Sequence, residues 1–366
     1  MAMHLVRAEL APRMERPRQE LGWRKALTPY FGTIPNAVIT IVCVALIALF
    51  AHHAFRWLLV DSVFSGGPAA CKASDGACWP FFTDKLRFMI FGFYPFEEQW
   101  RPVVALGLFF AACGVSMKPS LWGRNLLWGW GILLIAILIL MRGGVLGLSV
   151  VPTSQWGGLP LSFMLSFIGL AGAFPLGIAL ALARASKLPV IRVVAISFIE
   201  LVRGVPLISV LFMASVMLPL FMPSGVTIDK LLRAQTAIIL FAAAYVAEIV
   251  RGGLQAIPKG QYEASAAMGL HYWQMMRLIV LPQAIKIMIP PLVTLFIGFF
   301  QDTTLVVIVG LLDFLDTVRS SMRDPQWQGI VVLEGYIFAA FVYLFFSTIM
   351  GAYSRFLERH FRMGHD

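Results

Sequence analysis

The chain has 366 residues, 59% hydrophobic and 13% charged, with a formal net charge of +10. A charged fraction about half that of soluble domains excludes a soluble core, a disordered tail and a collagen-like fibre. Its apolar runs are continuous rather than alternating and are punctuated by Gly and Pro, which excludes a transmembrane barrel and points to an all-α membrane protein. The basic excess calls for no nucleic acid, because Lys and Arg are retained on the cytoplasmic side of multispanning proteins.

In chain order, residues 1–34 carry Arg7, Arg13, Arg16, Arg18, Arg24 and Lys25 and read as a cytoplasmic tail. Its end, 22–31, mixes Trp23, Leu27, Tyr30 and Phe31 with Arg24 and Lys25, which suits a short helix lying at the membrane interface. Eight crossings follow, each near the roughly 20 residues that a hydrocarbon core about 30 Å thick requires. They cover about 35–57, 101–117, 125–141, 158–183, 194–221, 234–251, 280–305 and 330–353. A basic stretch precedes the first, as in a signal peptide, but His52, His53 and Arg56 stand where small cleavage-site residues belong. It reads as a retained anchor.

This scheme leaves the tail cations, Lys118, Arg124, Arg184, Lys187, Arg192, Arg251, Lys259, Arg277, Lys286, Arg355, Arg359 and Arg362 inside. Outside lie Arg56, Lys72, Lys85, Arg87, Arg101, Arg142, Lys230, Arg233, Arg319 and Arg323, a smaller set. The asymmetry predicts that both termini are cytoplasmic. Residues 58–100 then form a water-exposed insertion on the outer, oxidising side, where Cys71 and Cys78 are close enough for a disulfide worth about 2 to 3 kcal/mol. Cys43 and Cys113 sit in apolar runs and read as small core residues. No metal site is expected, since only His52 and His53 could complete one at Cys71 and Cys78. Trp122, Trp128, Trp130, Trp156 and Trp327 fall near span ends, where aromatic anchors belong.

The longest polar interruption of the second half, 251–284, reads RGGLQAIPKGQYEASAAMGLHYWQMMRLIVLPQA. Pro258 opens a short helix, Gln261 to Met268 is rich in helix formers, and Gly269 breaks it. His271 to Ile279 forms a second helix that ends at Leu281-Pro282. Helix, glycine bend and helix between two spans make a rigid cytoplasmic knuckle suited to docking.

Glu263-Ala264-Ser265, Gly269 after three residues, and Ile279, Leu281 and Pro282 further on resemble the EAA loop of permease subunits in bacterial ABC importers. The flanks, 247–253, 257–261, 281–284, Pro290-Pro291, 302–305 and Glu200 to Leu207, look like the polar-amino-acid branch. The resemblance covers about 158–353, and the three-span N-terminal part is similar to the longer permease of general L-amino-acid importers. It implies a MetI-like, type I importer core built from the C-terminal five of about eight transmembrane helices. The segments are then a tail 1–34 with an interfacial helix, an extension 35–157 carrying the insertion 58–100, the core 158–353 with its coupling loop 251–284, and a C-terminal tail 354–366.

The resemblance also implies the partners. These are separate ABC ATPase subunits that bind ATP and Mg, a second permease that makes a heterodimer, a periplasmic amino-acid-binding protein and an L-amino acid substrate, all at a lipid-embedded inner membrane. The chain contains no G-x-x-x-x-G-K-[ST] phosphate loop and carries no cofactor or catalytic residue of its own. In the coupling loop, Glu263 caps its helix or pairs with a basic ATPase residue, Ala264 belongs to the motif, and Gly269 permits the bend. Tyr262, Met268 and Leu270 offer apolar contact to a groove, and Pro282 closes the loop.

Four acidic residues, Glu200, Glu248, Asp302 and Glu334, fall inside expected spans and must face protein or water. The spacings of Glu200 with Arg203 and of Glu248 with Arg251 predict ion pairs along one helix face, structural or part of an inner gate. Asp302, with Gln301, Thr303 and Thr294, lies in a span expected to break at Pro290, Pro291 and Gly298 and reads either as the translocation path or as a polar group that only packs helices together. Glu334 is expected near the outer surface beside Arg319 or Arg323. An ion-driven secondary transporter or channel is the alternative, but the first half shows no repeat in the second and no second set of broken helices. The histidines lie in tails, at a span's outer end or in the docking loop, which is no catalytic constellation.

Overall fold

The computed structural model describes residues 23–145, 147–223 and 225–362. The tail before Trp23, with Arg7, Arg13, Arg16 and Arg18, and the residues after Arg362 lie outside the described residues. The chain divides into two units, residues up to 62 with 74–77, and the remainder.

The first unit opens with α1 (Trp23–Phe31), where the sequence places an interfacial helix, and continues as α2 (Ile34–Phe55). Thr33 caps α2 by accepting from the Asn36 amide at 3.4 Å, and a Pro stands in the first turn, where no N–H is needed. Thr40 donates to the Tyr30 carbonyl at 2.9 Å and Asn36 to that of Pro29 at 3.2 Å, fixing the corner between the helices. No residue of α2 is buried, so Cys43 is exposed rather than a core residue.

The second unit begins with α3 (Pro68–Lys72) and α4 (Pro80–Phe91), joined by the expected Cys71–Cys78 disulfide with Cα atoms 5.6 Å apart. Two spans follow, α5 (Trp100–Ser116) and α6 (Arg124–Arg142). The core then runs α7 (Gly158–Arg184), α8 (Pro189–Gly204), α9 (Leu207–Phe212), α10 (Leu218–Leu220), α11 (Lys230–Gln255), α12 (Lys259–Ala267), α13 (Tyr272–Met275) and α14 (Leu281–Asp302). A two-residue strand β1 (Leu312–Asp313), α15 (Phe314–Met322) and α16 (Val332–Arg362) complete it.

Seven helical stretches among the described residues are long and apolar enough to cross a membrane. The eighth crossing, expected as one run over 194–221, is instead a pair, Pro189–Gly204 and Leu207–Leu220, bent by 105°. Val205 has left helical geometry and the following Pro206 cannot continue an α-helix from it, so the apolar composition stays continuous while the helix does not. Conversely, the helix expected to stop at Leu281-Pro282 continues, and Tyr272–Val309 is one stretch of 38 residues. A proline ring crowds the carbonyl four residues back, and the turn Met276–Val280 widens to a π-helix that relieves this. Nor does α14 break at Pro290, Pro291 or Gly298; the change comes later, as a 3-10 turn over Thr303–Val309.

The core centres on α7 against α11. A Cβ at Gly177 would lie 2.6 Å from Val246, and one at Gly169 would lie 2.7 Å from Ile238. Ala242, Ala243, Ala244 and Ala247 of α11 are also buried. Small residues on both helices bring the backbones together, which is how helices gain dispersion contact where lipid supplies no hydrophobic drive. A second cluster packs Phe109 and Ile137 of the extension on Phe163, Phe300 and Phe346, and a third joins α4 to α15 through Phe81, Phe314 and Trp327. Trp156 and Trp327 are therefore buried core residues, not interfacial anchors. Glu334 is also buried, away from the surface position expected, and accepts the Cys78 amide at 3.0 Å.

Candidate functional site

The segment between α11 and α14 is built from local rules. Pro258 precedes α12, and Gly269 ends it with φ +73, a conformation that favours glycine. The Leu270 amide donates to the Ser265 carbonyl at 3.1 Å and the Gly269 amide to that of Ala266 at 3.0 Å, the paired bonds of a Schellman C-cap. His271 and Gln274 then start α13 with reciprocal capping bonds. Ser265, fully buried, donates to the Gln261 carbonyl at 2.5 Å. Gln283 donates to the Gln261 side chain at 3.2 Å, closing the start of α14 onto α12.

Glu263 and Ala264 are exposed on α12. Pro258, at the start of α12, offers no side-chain cap. Tyr262 is half-buried and its hydroxyl donates to the Leu254 carbonyl at 3.3 Å; burial, then the neighbouring Tyr272, push its phenol up. Leu270 is half-buried, whereas Met268, Tyr272, Trp273 and Leu278 are exposed. The 38 residues from Tyr272 to Val309 are worth about 57 Å of helix against a hydrocarbon core of about 30 Å, so one end of that stretch stands in water. The knuckle thus leaves the large apolar side chains of Met268, Tyr272, Trp273 and Leu278 exposed.

At the loop-proximal end of α11, charges from three helices meet. Glu248 pairs with Arg251 on its own helix, as the spacing predicts, and lies 3.6 Å from both Arg184 of α7 and Arg203 of α8. The expected pairing of Glu200 with Arg203 does not form: Glu200 pairs with Arg184 at 2.9 Å, and Arg203 turns to Glu248 and to the ring of Tyr245, 5.7 Å away. Spacing along one helix favoured Arg203, but α7 brings a closer cation from another helix. Arg184 is the member that sequence spacing does not reveal; its position at the end of a span was the available signal.

Beside this cluster an open cavity of about 680 Å³ runs from the bend between α8 and α9 to the end of α14. Arg203, Tyr245, Thr294 and Asp302 are among its lining. Two of the expected path residues are placed elsewhere. Thr303 is buried and donates to the Phe300 carbonyl at 2.8 Å, and the Gln301 amide donates to Ser347 of α16 at 3.3 Å. A 3-10 turn starting at Thr303 rotates the chain, so consecutive polar residues do not share a face.

Residues 173–363 match the model of the family described as binding-protein-dependent transport system inner membrane component. The chain belongs to this family. As an inner-membrane transport component it is a multi-pass helical protein whose match spans the α7–α11 core, the bent pair, the knuckle and the cavity. It is 44% identical over 343 residues to the inner membrane amino-acid ABC transporter permease protein YhdY of Escherichia coli (strain K12), covering 91% of each chain. It is 34% identical to the glutamate/glutamine/aspartate/asparagine transport system permease protein BztC of Rhodobacter capsulatus, covering 98% of each. Among solved structures, an amino acid ABC transporter crystallised with histidines matches with a TM-score of 0.51 and 29% identity, over 56% of this chain and 92% of that one. The matches to YhdY and BztC, over 91% and 98% of their lengths, extend to the N-terminal part, whereas the structural likeness covers little more than half the chain.

Proposed function

We propose that this transport component is the permease of an ATP-driven amino-acid importer. The α12–α13 knuckle is its handle for a separate ATPase, and the cavity at the α8–α9 bend is its half of the substrate path. The observation that carries the reading is the knuckle: a Schellman-capped, cross-bonded projection that leaves Glu263, Met268, Tyr272 and Trp273 exposed to a groove-shaped partner. The names of YhdY and BztC, both amino-acid permeases, support the substrate class. The cavity suits it too, since Arg203 and Asp302 offer opposite charges to the carboxylate and ammonium of one amino acid. A second permease would complete the substrate path, and a different chain in that role makes the heterodimer. A periplasmic binding protein would deliver the substrate. ATP and Mg belong to the ATPase, and this chain then does no chemistry of its own. Both termini face the cytoplasm in this reading, because the knuckle must.

The family match disfavours an ion-driven carrier. The test is uptake into proteoliposomes holding this chain with its partner permease and ATPase. Uptake of labelled L-amino acids is expected to require internal ATP and external binding protein, to persist when proton and sodium gradients are collapsed, and to fall severely in Asp302→Asn. Uptake that follows an ion gradient with the ATPase left out would refute the proposal.

A further inference from the structure

Glu248 is shared unequally among its three arginines. Arg251 grips it with two nitrogens, Nε at 3.0 Å and Nη2, in a bidentate fork. Arg203 reaches it with Nη1 alone at 3.6 Å, beyond hydrogen-bond length, and the buried Nε of Arg203 has no hydrogen-bond partner. Arg203 is thus the weakest-held cation of the cluster. It is also the one that lines the cavity, at the end of α8 where the chain turns through 105°. Next to it, a Cβ added at Gly204 would meet nothing within 4 Å, so there is room beside Arg203 at the bend. The cluster holds three arginines against two glutamates, Glu200 and Glu248, leaving one positive charge in excess.

From this asymmetry we infer that Arg203 is a substrate-released latch: the carboxylate of an amino acid in the cavity draws Arg203 off Glu248 and so unties the end of α8 from α11. The inference rests on the importer reading and adds a relay to it. A free carboxylate meets a guanidinium through two parallel hydrogen bonds, a better geometry than the single long contact to Glu248, so the ligand favours the untied state. That difference between states is what allows a ligand to shift an equilibrium. Glu248 stands one turn before Arg251, which donates to Gln255 at 2.5 Å where α11 hands over to the knuckle. The same glutamate therefore touches the cavity's cation and the stem of the coupling loop. Glu200 and Arg184 keep α8 joined to α7 in either state, so the release is confined to the bend. Arg203 meets the substrate directly, whereas Glu248 is a positioning residue.

The test measures ATP hydrolysis by the whole complex in lipid, with and without binding protein loaded from an equimolar mixture of the twenty L-amino acids. In Glu248→Gln the tie is absent from the start, and hydrolysis without loaded binding protein is expected to rise to the parent's stimulated rate. A group that only supports the fold would lower that rate or leave it alone, and either outcome overturns the latch. In Arg203→Gln the ATPase is expected to copurify while stimulation by loaded binding protein is lost; full stimulation overturns the latch as well. Should Arg203→Gln not assemble, Glu248→Gln decides alone. A parent complex that neither takes up amino acids nor responds to loaded binding protein sinks the importer reading and the latch together, whereas a responsive parent with equally responsive variants sinks only the latch.

Discussion

Gly269 is the residue on which the knuckle turns. Its φ of +73 costs a residue with a Cβ about 1 to 2 kcal/mol, and the two bonds of the C-cap depend on that conformation. Gly269→Asp is expected to abolish copurification of the ATPase while leaving the amount of permease in the membrane near normal, measured by affinity pull-down against a membrane blot. Asp313 makes a different prediction. Burial pushes its carboxyl up to about 6 from an ordinary 3.8, against the pull of the Leu315 and Asp316 amides that it accepts at the start of α15. A raised carboxyl favours the neutral form in the folded state, so its contribution is full below about pH 4 and is lost as pH rises through about 6, roughly 3 kcal/mol in all. Asp313→Asn is expected to flatten the fall in melting temperature of the detergent-solubilised protein between about pH 4 and pH 7. An unchanged slope would place that titration elsewhere.

At the scale of elements, the pairing of α7 with α11 sets the core. Gly177→Val would drive two methyl groups into Val246 and the Ala243 carbonyl, and overpacking of this kind costs about 1 to 3 kcal/mol. A lowered thermal midpoint is expected, and Gly177→Ala should show a smaller drop; equal midpoints for the parent and both variants would contradict the packing. The knuckle's two helices were legible in the sequence because local residues bound them: a proline ahead of α12 and a glycine between α12 and α13. What was not legible depends on other helices. The spacing of Glu200 and Arg203 describes one helix surface, and only the register of α7 puts Arg184 nearer. Pro282 signals a stop to a reader of sequence, but the π turn before it lets the helix pass. The bend after Gly204 is written in Val205-Pro206 yet hidden by unbroken apolar composition.

At the scale of the molecule, one core carries both the cavity and the knuckle, joined through α11, and α4 with the disulfide packs against α15 and α16. Lys85 bonds Asp324 at 2.8 Å, Trp327 donates to Asp84 at 2.7 Å and Thr317 to the Met89 carbonyl at 2.6 Å, so α4 is tied into the core. The Lys85 hydrogen bond holds the Asp324 carboxyl below its usual range. The central claim is that a separate motor grips the knuckle. Its most direct test replaces exposed Met268 with Cys in the assembled complex and applies a short bifunctional thiol cross-linker. A single cross-linked product containing the ATPase, with yield that changes when ATP is added, is the predicted result. Labelling of that Cys by a membrane-impermeant reagent from the outside of intact cells, or amino-acid uptake without any ATPase within reach of it, would contradict the account.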